Sequence, residues 1–218
     1  MKTYRDHYFK KAKQENYPAR SVYKLQEIEK QSRLLVPGAV VLDLGACPGS
    51  WSLYAAERVG PTGRVLAIDL NPAGTAFPGQ VTYLIGDMLD PGPEILSAFA
   101  AQGPFDVVLS DMAPQTTGIK FTDQARSLEL AEAALAVARQ RLKPGGAFVV
   151  KIFQGPDAPA YLAGLRTLFA SVRIAKPKSS RSESKEIFYV GTGFVGAAAG
   201  AAPEGCSPLP PGGPTAKN

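Results

Sequence analysis

Residues 41–51 read Val-Leu-Asp-Leu-Gly-Ala-Cys-Pro-Gly-Ser-Trp, and this stretch decides the fold. The mostly apolar run Val40–Leu44 is typical of a buried strand, and a helix is predicted from Ser50 onward. Between them, Gly45 and Gly49 form a loop in which backbone N–H groups and a helix N-terminus can approach an anionic or polar ligand closely. The stretch therefore predicts a strand–loop–helix unit with a ligand site at its turn.

Strand and helix signals alternate outward from this unit, which argues for a doubly wound α/β domain. The best helix, 122–142, carries apolar residues at three- and four-residue spacing and ends at Lys143-Pro-Gly-Gly146. We predict a mostly parallel seven-stranded sheet with helices on both faces. The predicted strands are 40–44, 64–68, 81–85, 105–110, 147–153, 172–175 and 187–192, and the other predicted helices are 21–30, 50–59, 94–101 and 158–169.

Composition favours a soluble, globular protein of ordinary size. The 218 residues are 45% hydrophobic and 20% charged, which suits one domain with a proper core. No stretch approaches the ~18 apolar residues of a membrane span, and the N-terminus lacks a signal-peptide core. Cys47 and Cys206 have no metal-ligand spacing, so we expect no metal site and a cytoplasmic, reducing location.

Positive charge is concentrated in two segments. Residues 1–33 hold nine Lys or Arg against four acids, and residues 172–188 hold five against two. The rest of the chain is slightly acidic. Such a distribution indicates a polyanion partner, although basic runs are also common on ordinary solvated surfaces.

The sequence divides into three parts. Residues 1–35 are interpreted as a basic N-terminal arm and helix that contact RNA and pack on the core. Residues 36–194 form the α/β domain. Residues 195–218 contain sixteen Gly, Pro or Ala and no aromatic residue, so we expect a disordered tail.

The ligand at the glycine loop is predicted to carry a nucleoside. Only Gly45 and Gly49 are present, so the dinucleotide fingerprint is incomplete, and the spacing suits S-adenosylmethionine instead. Asp69 at the end of the second strand can accept both ribose hydroxyls, and Asp87 after the third can accept from an adenine amino group. Trp51 would supply an apolar wall. Alternatively, Asp69 caps its own loop and Trp51 fills the core.

Lys151 interrupts the apolar run Ala147–Phe153. Burying an ammonium in a strand covered on both faces is costly without a counter-charge. A lysine in that place indicates a proton-handling site, unless the strand frays into solvent there.

The chain resembles the bacterial FtsJ/RrmJ family of heat-shock ribosomal RNA 2′-O-ribose methyltransferases, across roughly residues 5–194. This resemblance implies the Rossmann-like class I methyltransferase fold and S-adenosylmethionine as cofactor. Ser50 and Cys47 stand where the family usually has glycine and alanine, which could shift cofactor affinity. The matching stretches are Ala19-Arg-Ser-Val-Tyr-Lys-Leu25, Leu42-Asp-Leu-Gly-Ala-Cys-Pro-Gly-Ser-Trp51, Leu109-Ser-Asp-Met-Ala-Pro114, Phe148-Val-Val-Lys-Ile-Phe-Gln-Gly155 and Lys176-Pro-Lys-Ser-Ser-Arg-Ser182 through Glu186.

The resemblance also implies the site residues. Gly49, Trp51, Asp69, Asp87 and Asp111 would contact the cofactor. The family's catalytic tetrad falls on Lys24, Asp111, Lys151 and Glu186. Burial and a second ammonium favour the neutral lysine that can accept the 2′-hydroxyl proton, so Lys151 is the expected general base. Asp111 would orient it, while Lys24 and Glu186 would position the ribose. Two cations and two anions leave no uncompensated buried charge.

RNA is the expected substrate, because only RNA has a 2′-hydroxyl. The resemblance implies a uridine of 23S rRNA, in the assembled 50S subunit, modified by a monomer with no membrane partner. Aromatic residues interleaved with the basic arm suit contact with phosphates and bases. A tRNA 2′-O-methyltransferase and a non-catalytic RNA-binding or assembly factor remain alternatives. Base methylation fits poorly. Methylation of cytosine C5 would need a Cys nucleophile near the fourth strand, and methylation of adenine N6 would need an Asn/Asp-Pro-Pro-aromatic turn there. The sequence has Asp111-Met-Ala-Pro114, which fits neither.

Overall fold

A computed structural model describes residues 2–181 and 184–196, with the side chains of residues 2–6 excepted. Seven strands form one sheet in the order β3-β2-β1-β4-β5-β7-β6. The strands are β1 (Val40–Leu44), β2 (Arg64–Asp69), β3 (Val81–Ile85), β4 (Phe105–Ser110), β5 (Leu142–Phe153), β6 (Phe169–Ala175) and β7 (Glu186–Phe194). The helices are α1 (Lys2–Gln14), α2 (Val22–Ser32), α3 (Ser50–Val59), α4 (Pro93–Gln102), α5 (Lys120–Arg141) and α6 (Ala158–Leu168).

All strands of the sheet are parallel except β7, the last strand along the chain. Parallel pairing runs from β3 through β2, β1 and β4 to β5. Strand β7 then inserts antiparallel between β5 and β6. The predicted α/β fold with a mostly parallel seven-stranded sheet is confirmed.

Helices cover both faces of the sheet. In β1, Leu42 and Leu44 face the core under α4, α5 and α6, whereas Val41 faces the core under α2 and α3. This alternation follows from the two-residue period of a strand. Both faces of the sheet are therefore covered by an apolar core.

Helix α1 was not predicted from the arm's sequence. Ala12 is buried, and the ring of Tyr8 lies 5.2 Å from that of Tyr23 on α2. Helix α1 is thus stabilised by a small aromatic cluster that it forms with α2. Basic residues occupy other positions of the helix, so the period of its apolar residues is not evident from the sequence.

Strand β5 begins at Leu142, five residues before its predicted start. The sequence Lys143-Pro-Gly-Gly146 was interpreted as a helix stop. It does end α5, at Arg141, but its residues continue as strand across a register shift opposite Phe105 and Val107. The irregularity accommodates proline and glycines that a regular ladder would not.

Residues 197–218, most of the predicted tail, lie outside the described residues. Within the described part of the chain, no helix combines the length and apolar character needed to cross a bilayer.

Candidate active site

The glycine loop after β1 has the shape that only glycine allows. Gly45 has φ +75°, and a Cβ there would lie 2.7–2.8 Å from atoms of Met112. Gly49 has φ +112°, and a Cβ there would lie 2.8 Å from Phe77 and Thr75. Both positions therefore require glycine for two reasons, the left-handed backbone and the close neighbours.

A cavity of about 190 Å³ opens beside this loop at the carboxyl ends of β1 and β2. Asp69 and Asp87 both line it. Asp69 also accepts hydrogen bonds from the backbone N–H of Cys47 at 3.0 Å and of Asn71 at 2.8 Å. The carboxylate thus holds its own loops and faces the cavity, so the two interpretations made from the sequence are compatible. The other lining residues are Gly45, Ile68, Leu70, Asn71, Gly86, Met88, Met112, Ala113, Gln115 and Leu130.

This cavity fits an adenosine-bearing cation such as S-adenosylmethionine. Two carboxylates can accept hydroxyl and amino hydrogens, and their negative charge complements a sulfonium. The absent Cβ atoms of Gly45 and Gly49 let the loop pack closely against Met112, Phe77 and Thr75, which sets the path of the loop beside the cavity.

The Trp51 ring is not among the residues that line this cavity, so it does not form the apolar wall predicted for it. Its side chain is 3% exposed, its indole N–H donates to the Ser21 carbonyl at 2.8 Å, and its ring lies 5.8 Å from that of Phe188. The ring therefore packs in the core between α3, α2 and β7. The predicted contact of Trp51 with the cofactor stays a prediction.

A second cavity, of about 400 Å³, lies next to the first, and Ala113 lines both. Lys24, Lys151 and Glu186 line the second cavity. Asp111 lies two residues before Ala113, where the two cavities meet. The remaining lining residues are Ala19, Arg20, Ser21, Thr116, Phe153, Ser179, Arg181 and Ser184.

Lys151 lies inside β5, paired with Phe188, rather than at a frayed end. It follows Val149 on the face covered by α2 and α3, and is 6% exposed. Its Nζ lies 2.8 Å from Asp111 Oδ1 and also donates to the Asp111 carbonyl. This ion pair supplies the counter-charge that a buried ammonium requires.

The other two charged residues form a second ion pair. Lys24 Nζ lies 2.7 Å from Glu186 Oε1 and 5.7 Å from the centre of the Phe188 ring. Ser180 Oγ donates to the same Glu186 oxygen at 2.8 Å. All four predicted charged residues are therefore gathered at one end of the sheet, from α2, the end of β4, β5 and the start of β7.

Four supporting hydrogen bonds were not predicted from the sequence. Ser180 fixes Glu186, and Glu27 accepts the backbone N–H groups of Lys178 and Ser179 at 2.6 and 2.9 Å. Arg20 donates to the Ser179 carbonyl at 2.6 Å. These contacts tie α2 to the segment before β7. Because the contacts of Glu27 and Arg20 join residues about 150 positions apart, no local pattern signals them.

The chain is similar in sequence and fold to known proteins. The model of the FtsJ-like methyltransferase family matches residues 17–194. Two relatives named ribosomal RNA large subunit methyltransferase E, from Oleidesulfovibrio alaskensis and Nitratidesulfovibrio vulgaris, are each 62% identical over 196 residues. The alignments cover 90% of this chain and 95% and 98% of the relatives.

A solved structure described as a ribosomal RNA methyltransferase from Plasmodium falciparum superposes with a TM-score of 0.73 at 26% identity. The match covers 83% of this chain and all of that one. The resemblance predicted from the motifs is confirmed, and the Rossmann-like fold with it. The chain belongs to the FtsJ-like methyltransferase family.

Proposed function

We propose that this protein transfers a methyl group from S-adenosylmethionine to the 2′-hydroxyl of a uridine in 23S rRNA, within the 50S subunit. The observation that carries the proposal is the buried Lys151–Asp111 ion pair. Lys151 lines a basic cavity, and Asp111 directly precedes Met112, which lines the neighbouring acidic cavity. The name of the two relatives, ribosomal RNA large subunit methyltransferase, supports the choice of RNA.

The acidic cavity is the proposed cofactor site. Asp69 and Asp87 would hold the adenosine, and the backbone around Gly45 and Gly49 would hold the remainder. The cofactor supplies an electrophilic methyl group on a sulfonium. The side of the cavity formed by Met112 and Ala113 separates it from the second cavity, so the acceptor must approach from there.

The basic cavity is the proposed ribose site. A ribose hydroxyl is a poor nucleophile and has to lose its proton during attack. Lys151 in its neutral form would accept that proton, and Asp111 would fix the direction of its Nζ through the two contacts already described. Lys24 and Glu186 would hydrogen-bond the ribose from the opposite side. Much of the acceleration then comes from holding the acceptor oxygen in line with the methyl group.

RNA would also contact the N-terminal part of the chain. Lys10 and Lys13 are exposed on α1, and Phe9 beside them is 59% exposed. We therefore retain the division into an RNA-contacting segment 1–35 and a catalytic domain 36–194. Action as a monomer in the cytoplasm is part of the proposal.

The test is transfer of labelled methyl groups to 50S particles that lack the modification, followed by nucleoside mapping. Lys151→Ala should lower kcat by about 10²–10⁴-fold, the range for loss of a general base, while calorimetric binding of S-adenosylmethionine persists. Lys143→Ala is the matched control, because Lys143 forms a 2.7 Å ion pair with Asp106 away from the site.

Equal activity of wild type and Lys151→Ala would remove Lys151 from the mechanism. Methylation of tRNA in place of the particles would replace the substrate with the tRNA alternative. No transfer to any RNA by a wild type that binds RNA would leave a non-catalytic binding role.

A further inference from the structure

A third cavity, of about 290 Å³, adjoins the proposed ribose cavity. Phe153 and Ser184 line both this cavity and the ribose cavity. Its other walls include Lys120 and Gln124 from the first turns of α5, and Lys185 just before β7. None of these three residues belongs to the tetrad or to the cofactor site, so the proposed reaction leaves the cavity without a role.

The walls of this cavity are held by specific contacts. The Gln124 side-chain amide donates to the Gln154 carbonyl, which ties α5 to the end of β5. The Gln154 backbone N–H in turn donates to the Lys185 carbonyl at 2.9 Å. Three chain segments are thereby joined around the opening. Hydrogen bonds between three chain segments therefore define the cavity, which is not a gap between loose loops.

Its charge favours an anion. Lys120 and Lys185 are exposed, and neither forms an ion pair with any residue that the structure describes. Asp123 also lines the cavity, but its carboxylate is occupied by its own loop. It accepts from the Thr117 N–H at 2.7 Å, the Thr117 hydroxyl at 2.8 Å and the Gly118 N–H at 3.2 Å, and these hydrogen bonds lower its pKa.

We propose that this cavity binds the nucleotide next to the target uridine in the RNA chain. Lys120 and Lys185 would contact its phosphate, and the Phe153 ring would contact its base or sugar. An aromatic ring beside paired cations is the arrangement by which proteins hold unstacked single-stranded nucleotides. Because Phe153 follows Lys151 by two residues on the same side of β5, the neighbouring nucleotide would fix the distance between the target ribose and Lys151. The inference rests on the proposed function, whose substrate recognition it extends.

The first experiment measures binding of a labelled oligouridylate by fluorescence anisotropy between about 50 and 200 mM salt. The double variant Lys120→Gln/Lys185→Gln is compared with Arg64→Gln/Arg139→Gln. The control removes two exposed cations away from the cavity, with Arg139 roughly 30 Å from Lys120 along α5. Loss of two phosphate contacts should reduce the slope of log K against log salt by about 1.4 in the lysine variant only.

The second experiment measures KM and kcat for 50S particles lacking the modification. The lysine variant should raise KM several-fold and keep a kcat near that of wild type, because the tetrad is untouched. Unchanged binding of S-adenosylmethionine in both double variants shows that they are folded.

Equal salt slopes and equal KM values in the two double variants would overturn the subsite. A wild type that methylates no RNA would overturn the proposed function instead. In that case, a reduced slope in the lysine variant would still support this cavity as an RNA contact.

Discussion

Asp43 is a carboxylate with no contact to solvent, two residues before Gly45 in β1. Its Oδ2 accepts from the Ser52 hydroxyl at 2.6 Å, and its Oδ1 has no hydrogen-bond partner among the described residues. Burial raises the pKa of Asp43 from 3.8 to about 7, with smaller contributions from Asp111 and Asp69, against the opposing effect of Ser52. The proton is therefore retained in the folded protein at pH values where the unfolded chain has lost it.

This raised pKa predicts a pH dependence of stability. Between about pH 4 and pH 7 the unfolded chain releases the Asp43 proton and the folded protein does not, so the free energy of unfolding falls as pH rises through that window. From about pH 5 to pH 8 the loss is about 2–3 kcal/mol. Asp43→Asn keeps the shape and cannot titrate, so its stability should lack this decline. Urea unfolding of both proteins at the two pH values measures the difference. Parallel pH profiles would contradict the assignment.

Gly45 gives a second prediction at this scale. Gly45→Ala combines a left-handed backbone with a Cβ 2.7–2.8 Å from Met112, including its backbone. It should lower stability by about 1–3 kcal/mol and displace Met112, and so weaken S-adenosylmethionine binding.

Gly60→Ala is the matched control for Gly45→Ala. Its φ is +69°, and no atom lies within 4 Å of the added Cβ. It should lose stability through the backbone alone and keep cofactor affinity. Thermal unfolding and calorimetry separate the two effects. If Gly60→Ala weakened cofactor binding as much as Gly45→Ala, close packing against Met112 would not be the cause.

Residue identities were predictable where the residue type is unusual for its position. Lys151 in an apolar strand, and glycines directly after β1, are such signals. The Trp51 ring was misleading, because an aromatic residue beside a glycine loop fits either a ligand wall or the core. Only the contacts of α2 decide that the ring packs inside.

At the scale of elements, α2 and the segment before β7 act together. Helix α2 supplies Lys24 to the site, and β7 supplies Glu186. The segment between β6 and β7 supplies Ser180, whose hydroxyl donates to Glu186. Since Glu186 accepts from both Lys24 and Ser180, the direction of the Lys24 ammonium depends on this segment.

Ser180→Ala should therefore lower kcat for RNA methylation and leave S-adenosylmethionine affinity unchanged, because the cofactor cavity is lined by other residues. The lost hydrogen bond to a charged group should also cost about 1.5–3 kcal/mol of stability. Ser180→Thr retains the hydroxyl and should restore kcat. Steady-state kinetics of the two variants make the comparison. A threonine variant as impaired as alanine would show that the hydroxyl is not what matters.

Most elements could be predicted because each carries a local pattern. Strands β1 to β4 occur within one residue of the predicted bounds. Helix α1 and the early start of β5 could not be predicted. The first depends on tyrosine packing against α2, and the second on a register shift opposite β4; both are tertiary effects that override local propensity.

At the scale of the whole molecule, charge is divided between two neighbouring cavities. Asp69 and Asp87 line the cofactor cavity, whereas Arg20, Lys24, Lys151 and Arg181 outnumber Glu186 in the ribose cavity. The two basic segments, 1–33 and 172–188, both contribute residues to the second cavity. The two clusters of positive charge could be recognised in the sequence as an electrostatic footprint for a polyanion. Only the fold shows that both lie at the same cavity.

Lys10 and Lys13 test how far the RNA contact extends. Lys10→Glu/Lys13→Glu should weaken RNA binding at low salt and flatten its salt dependence, because both ammonium groups are exposed on one side of α1. Arg64→Glu/Arg139→Glu, with the same change in net charge, should have a much smaller effect. Filter binding to 23S rRNA fragments gives both values. Equal losses in the two variants would make the effect one of net charge only.

The position of β7 has a consequence for synthesis. Strand β6 is synthesised before β7, but among the described strands β6 pairs only with β7. The edge of β5 also stays unpaired until β7 is added. Glu186 is the first residue of that late strand. Until β7 has emerged from the ribosome, the chain therefore has neither a complete sheet nor Glu186, the fourth charged residue of the site. Under the proposed mechanism, a translation product that stops before this strand would be inactive, and catalytic activity would begin only with the final segment of the domain.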